Sequence, residues 1–425
     1  MTRTSVPRLL VIVFAAILFW SGCGEDRSGT TEIQFWAFGS EGENVKALIP
    51  EFERTHPGLK VKLQVIPWTA AHEKLLTAYA GESTPDICQL GNTWIPEFVT
   101  LKAIEPLAPW IRRGNIDSTS YFSGIWRTNF IDTVQYGLPW YVDTRVLFYR
   151  KDILAAAGFP SAPATWAEWD TACHRIITTG GNHGRYAVLL PTTEWAPPVI
   201  LGLQRGSKML KDRDRYGDFS GERFRGAFRY YIDFFEKKYA PAALTDVMNI
   251  YQSFGEGYFA MYITGPWNIG EFSRRLPPEL QDMWMTAPLP GPEPGVPGVS
   301  LAGGSSLVLF TNSPRKEAAW QLIQYLSDPA QQLTFYRITG DLPARVEAWR
   351  DSALAGNVYA RAFFEQLKHV APTPTIPQWE QIAMKVQDYA ELAARKKMTV
   401  DESLEALDRD VDRILEKRRW MLNVR

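Results

Sequence analysis

Apolar positions along this chain change period repeatedly, and each change marks a predicted element. Residues 31–39, TEIQFWAFG, have strand chemistry and stop at Gly39. From Asn44 to Thr55, Val45, Leu48, Ile49 and Phe52 recur at helical spacing, and His56-Pro57-Gly58 ends the run. LKVKLQVIPW then alternates like a half-exposed strand, AAHEKLLTAYA is helical, and TPDICQL is a short buried strand. The same reading predicts strands at 145–150, 185–190 and 257–263, with helices at 165–178 and 222–238 between them. A Pro/Gly-rich stretch at 287–304 breaks the pattern and leads into one more strand, SLVLF. Helices are predicted over the last third, at 314–327, 329–338, 355–368, 377–395 and 400–418. No internal repeat is present.

Strands alternating with helices of 10–15 residues indicate βαβ units and parallel sheets. Two such blocks, a Pro/Gly crossover and a helical end suit two α/β lobes joined by more than one crossing of the chain. Ligand clefts in such sheets lie beyond the carboxyl ends of strands and between domains.

The first 23 residues stand apart from this pattern. Arg3 and Arg8 precede the 12-residue apolar run LLVIVFAAILFW, which exits through Ser21-Gly22 to Cys23. A positive start, a short apolar middle and a small-residue exit describe an export signal, and 12 residues are too few to span a bilayer. Cys23 after Ser-Gly resembles a bacterial lipobox, with Trp20 where that pattern favours Leu. We therefore expect a signal over 1–22, a lipid anchor on Cys23 and a polar tether over 23–30. No later stretch approaches 18 apolar residues.

Composition narrows the classes further. The 425 residues are 45% hydrophobic, 22% charged and 13% aromatic, an ordinary globular balance with a surplus of rings. Lys+Arg 46 against Asp+Glu 47 lacks the basic footprint that nucleic acid demands. Only Cys88 and Cys173 follow Cys23; both are read as buried thiols rather than a disulfide framework. His56, His72, His174, His183 and His369 show no metal-ligand spacing, so neither metal nor cofactor is expected.

Four stretches carry a resemblance: FWAFGSEGENVKALIPEFERTHPGLKV, TPDICQLGNTWIPEF, YGLPWYVDTRVLFYRKDILAAAGFPSAPATWAEW and FGEGYFAMYITGPWNIGEF. Together with TIPQWEQIAMKVQDYAELAARKKMTVDESLEAL they make the chain resemble solute-binding proteins of ABC importers, in the maltose/oligosaccharide-type group (extracellular solute-binding family 1). The resemblance implies a two-lobe periplasmic-binding-protein-like α/β fold of type II, with a ligand cleft and a multi-crossing hinge. On that basis 31–142 plus 287–340 would form the N-terminal lobe, and 143–286 plus 341–425 the C-terminal lobe. It also implies a non-enzymatic role: capture of a di- or oligosaccharide outside the cytoplasm and delivery to an ABC permease. The protein is expected to be a monomer, either periplasmic or lipid-anchored to the outer face of the cytoplasmic membrane.

A sugar presents apolar C–H faces and a rim of hydroxyls, so its site needs flat rings and in-plane hydrogen-bond partners. Two platforms and a few charge-assisted bonds reach micromolar affinity, about -8 kcal/mol. In ITGPWNIG a Gly-Pro pair ends a strand and Pro266 opens a helix, leaving Trp267 at the junction with Asn268 beside it. The family's corresponding tryptophan lies under a sugar ring. Core filling is the alternative for Trp267. Ser40 and Glu41 sit where the first strand meets a helix, and the resemblance puts them at ligand-contacting positions; helix capping is the bland alternative. Asn92, Thr93 and Trp94 follow another strand, although maltose-type relatives often carry an acid where Thr93 stands, and Trp94 also suits a core. Asp143 interrupts an apolar strand and needs a partner, either Arg145 or a ligand hydroxyl. Trp140 and Tyr141 would line the same wall. Trp195 follows a strand on a proline-bounded turn. Gly303 and Gly304 offer close backbone approach, and Arg345 and Trp379 complete the candidates.

Two other classes stay open. Among 47 acids a carboxylate pair for glycoside hydrolysis escapes inspection. Glu41, Asp143 and Glu194 with nearby rings would also suit a polyamine.

Overall fold

The computed structural model describes residues 29–178, 184–242 and 249–423. The predicted signal, Cys23 and most of the tether lie outside the described residues, as does His183. The chain forms two mixed sheets with helices packed on them. In the first, the spatial order is Leu59–Ile66, Thr31–Phe38, Ile87–Gly91, Gly303–Leu309, Leu138–Asp143, Leu342–Pro343. In the second it is Trp284–Ala287, Val146–Arg150, Phe259–Thr264, Tyr186–Leu189.

Parallel pairing holds for the first three strands of the chain and for Phe259–Thr264 with Tyr186–Leu189. The remaining ladders of these two sheets are antiparallel. Purely parallel sheets were expected from the alternation. Gly303–Leu309 enters the first sheet from the second lobe and therefore runs against its neighbours. Leu342–Pro343 extends the first sheet by pairing with Val142 and Tyr141, so the chain's return to the second lobe comes later than the expected boundary at 341.

Burial follows the predicted faces. Ile33, Phe35 and Ala37 alternate inward along the first strand, whereas the fully apolar Phe259–Ile263 run is buried on both sides. The predicted 44–55 helix is two helices, Gly39–Val45 and Ile49–Thr55. Pro50 is the reason: inside a continuous helix its ring would meet the carbonyl of Lys46, whereas at the start of a new helix its missing N–H costs nothing. Val400–Ile414 begins with a capping box between Thr399 and Glu402 and buries Leu404, Leu407 and Val411 on one face. It packs on Trp379–Ala394, whose Trp379, Ile382 and Val386 enter the same core as Tyr231 and Phe228. Each such side chain contributes roughly 1.5–3 kcal/mol. Cys88 and Cys173 are free and buried. Among the described residues no helix is long and apolar enough to cross a membrane.

Three segments run side by side where the sheets meet. Thr144–Arg145 leads from the first sheet to the second, and Ser300–Leu301 leads back and pairs in parallel with Val370–Ala371. The Ser300 hydroxyl accepts from the Arg145 amide at 3.1 Å and donates to the Arg145 carbonyl at 2.8 Å. The Ser300 amide bonds the His369 carbonyl and the Ala302 amide bonds the Ala371 carbonyl. These links lace the crossings into one hinge.

Candidate functional site

The site grows from the hinge end of the first sheet. Strand alternation puts Tyr141 and Asp143 on one face of Leu138–Asp143. Across the neighbouring edge, Leu342 pairs with Val142, so Asp341 comes opposite Asp143. The helix Gly39–Val45 brings Glu41 to the same place. Glu41 accepts from the Trp68 indole N–H and the Ser40 hydroxyl, each at 3.2 Å, and from the Tyr141 hydroxyl at 3.4 Å. Gln89 donates to the Tyr141 oxygen at 2.8 Å, and Ser305 bonds it at 3.0 Å. A buried Tyr with this many partners is fixed in place. Burial holds its phenol well above the ordinary range.

Asp143 pairs with Arg145, whose guanidinium comes within 3.9 Å of Glu194 from the second lobe. Arg145 also lies over the ring of Trp267, 4.5 Å from its centroid. One guanidinium therefore joins Asp143, Glu194 and Trp267. Burial raises the Asp143 carboxyl above its usual value even against the Arg145 charge, with Glu194 and Glu41 adding to the rise; the third of its side chain left exposed tempers this. Asp341 is 7% exposed, and burial followed by the nearby Glu41 charge pushes it up to about 8.

Of the two predicted tryptophan shelves, Trp267 is 38% exposed at the start of its helix. Trp195 is half-buried at the opening of Ala196–Gln204 and rests edge-to-face on Trp379, ring centres 5.7 Å apart. Trp267 lies against Arg145, and Glu194, the residue before Trp195, comes within 3.9 Å of it.

Around the second rim, Asn92 is 7% exposed; its side-chain oxygen accepts from Ser306 and its amide nitrogen has no partner. With Thr93 it faces Pro372–Thr375 across a space of about 20 Å³, room for a single water. The Thr93 hydroxyl bonds Glu380, a second-lobe carboxyl that burial raises above the usual range, with Thr93 and His72 opposing. His72 in turn bonds Glu97 at 2.6 Å. Trp94 packs among Phe38, Trp68 and His72, half-buried.

Three expectations, at Trp379, Trp140 and Asn268, are corrected. Trp379 is fully buried and supports Trp195 from below. Trp140 is also fully buried, stacked on Phe335 at 4.6 Å. Asn268 is 3% exposed and spent on structure, donating to Thr264 and accepting from Tyr251. Gly303 and Gly304 are small for packing: a Cβ at either would collide with the Asp143 or Tyr141 carbonyl, and Gly304 has φ 133. Arg345 bonds Glu347 at 2.8 Å and lies over the Tyr121 ring, 5.0 Å from its centroid. Sequence reasoning missed Trp68, Gln89, Asp341 and Glu380. A polar Gln inside ICQLG and an acid between Gly340 and Leu342 were the available signals.

Residues 38–333 match the model of the family described as bacterial extracellular solute-binding protein. The chain belongs to that family. Among solved structures it is similar to the sugar-binding protein MalE from Xanthomonas citri, with 45% identity, a TM-score of 0.88 and coverage of 92% of this chain and 99% of that one. Among curated proteins it is similar to the galactooligosaccharide-binding protein of Bacillus subtilis, 25% identical over 93% of this chain and 95% of the relative. The diacetylchitobiose binding protein DasA of Streptomyces coelicolor is likewise 25% identical, over 84% of this chain and 83% of its own length. In this solute-binding chain the two-lobe architecture and hinge described above match what the resemblance implied.

Proposed function

We propose that this solute-binding protein takes a di- or oligosaccharide between its lobes and hands it to an ABC importer, with no chemical step. The observation that carries the reading is the exposed indole of Trp267 beside Asp143, Glu41, Glu194 and Tyr141 at the junction of the lobes. Such a set offers a flat apolar platform and acceptors for hydroxyls. The printed specificities of the relatives support it: a sugar, a galactooligosaccharide and diacetylchitobiose. Trp195, Asn92 and Thr93 are proposed as further contacts, with Ser40 orienting Glu41.

Binding groups on both lobes give a sugar higher affinity for the closed arrangement, so the ligand shifts the hinge toward closure. Thermal unfolding with maltose, maltotetraose, N,N′-diacetylchitobiose, a galactooligosaccharide and spermidine tests the reading. A rise with a sugar and none with spermidine is expected. A rise with spermidine alone, or turnover of a chromogenic glycoside, would overturn it. We further propose export with acylation at Cys23 and a monomeric state; Cys23→Ser is expected to move the protein from the membrane to the soluble fraction.

A further inference from the structure

We infer that Arg145 is a specificity-determining residue of the cleft: its guanidinium occupies the ring of Trp267, and a sugar that stacks there must displace it. This rests on the sugar-binding reading and deepens it. The Trp267 ring folds back onto Gly265 so closely that a Cβ at that position would collide with its benzo carbons. Over the ring lies the Arg145 guanidinium, 4.5 Å from the centroid. The 38% exposure of Trp267 is thus exposure around a lid of five N–H donors, not a bare platform.

The main chain of Arg145 does not move with its side chain. Ser300 holds both its amide and its carbonyl, so displacement means a side-chain swing about a fixed point. A destination for that swing is in place. The guanidinium is paired with Asp143 and lies 3.9 Å from Glu194, longer than a hydrogen bond, so a short swing toward Glu194 would tighten that second ion pair. A sugar with an oxygen acceptor near the ring edge offsets part of the cost by accepting from the displaced guanidinium. A ligand that stacks but offers no acceptor there receives no such compensation. The cation on the shelf therefore filters ligands by their rim as well as by their face.

Isothermal titration with maltose tests this on the full mature chain and on Arg145→Lys, Arg145→Gln and Trp267→Ala, singly and combined. Lys keeps a charge for Asp143 but loses the planar fork that stacks, and Gln removes the charge. Arg145→Lys is expected to tighten maltose binding about two- to fivefold, the size of a surface cation–π contact. The gain is expected to vanish in the Trp267→Ala background, because no ring is left to uncover. Arg145→Gln serves in the same comparison if the Lys variant fails to fold. Unchanged or weaker binding by the Arg145 variants, or a gain that survives Trp267→Ala, overturns the inference while the sugar reading stands. If the wild-type chain binds neither maltose, maltotetraose, N,N′-diacetylchitobiose nor a galactooligosaccharide, the sugar reading falls and the inference with it.

Discussion

Replacing Asp341 with Asn removes one titrating group from the most crowded acidic corner of the molecule while keeping its shape. Asp341 is 7% exposed, comes opposite Asp143 in the ladder and feels the Glu41 charge; its pKa is pushed up to about 8, with the Thr339 hydroxyl opposing the rise. The unfolded chain releases this proton in the ordinary carboxylate range, near 3.8. Between that value and about pH 8 the unfolded state therefore holds fewer protons than the folded one. Stability falls as pH rises through this window, and it levels off above it. Each pH unit of that window is worth about 1.4 kcal/mol, so the group costs several kcal/mol at pH 7. Asp341→Asn is expected to recover most of that at pH 7 and distinctly less at pH 5. Urea unfolding followed by circular dichroism from about pH 5 to 8.5 reads the difference directly. A gap between variant and wild type that does not grow with pH would show Asp341 ionising as an ordinary carboxylate and refute the argument.

Gly304→Ala forces a side chain onto φ 133 and into the Tyr141 carbonyl, and is expected to lower stability by at least 1–3 kcal/mol in the same urea assay. His72 is raised chiefly by its bond to Glu97, against desolvation, with Glu380 and Glu73 adding. A raised folded-state value means that its contribution is complete below the unfolded value of 6.5 and is lost as pH climbs through the folded one; Glu97→Gln is expected to flatten that part of the stability profile. Trp267→Ala is expected to weaken maltose binding about tenfold or more by calorimetry, with little change in thermal midpoint because its ring is only partly buried.

The sequence carried most of the element order because strand and helix periods differ so clearly in this chain. Its misreadings share one cause: a pattern states that a side chain is apolar or polar, not which layer receives it. Trp379 and Trp195 are both large rings near helix openings, yet the first fills the second lobe's core and the second lies on top of it. Asn268 next to Trp267 reads like a ligand contact, but this side chain, in the first turn of the helix that follows a buried strand, is consumed by Thr264 and Tyr251. Asp143 was legible because a lone carboxylate in an apolar strand demands a partner. Its pairing with Arg145 was equally legible, whereas the bridge onward to Glu194 and Trp267 needed three dimensions. Asp341 escaped because its significance depends on a cross-strand neighbour 198 positions away, at Asp143.

The clasp of Ser300 on Arg145 has a mechanical consequence. The same residue lends its backbone to the pivot and its side chain to the Trp267 ring, so on the proposed reading lever and sensor are one amino acid. A lesion such as Ser300→Ala, buried and out of any solute's reach, would therefore register in titrations as altered affinity, and a screen for tighter or looser variants would gather hits along the axle as readily as in the berth.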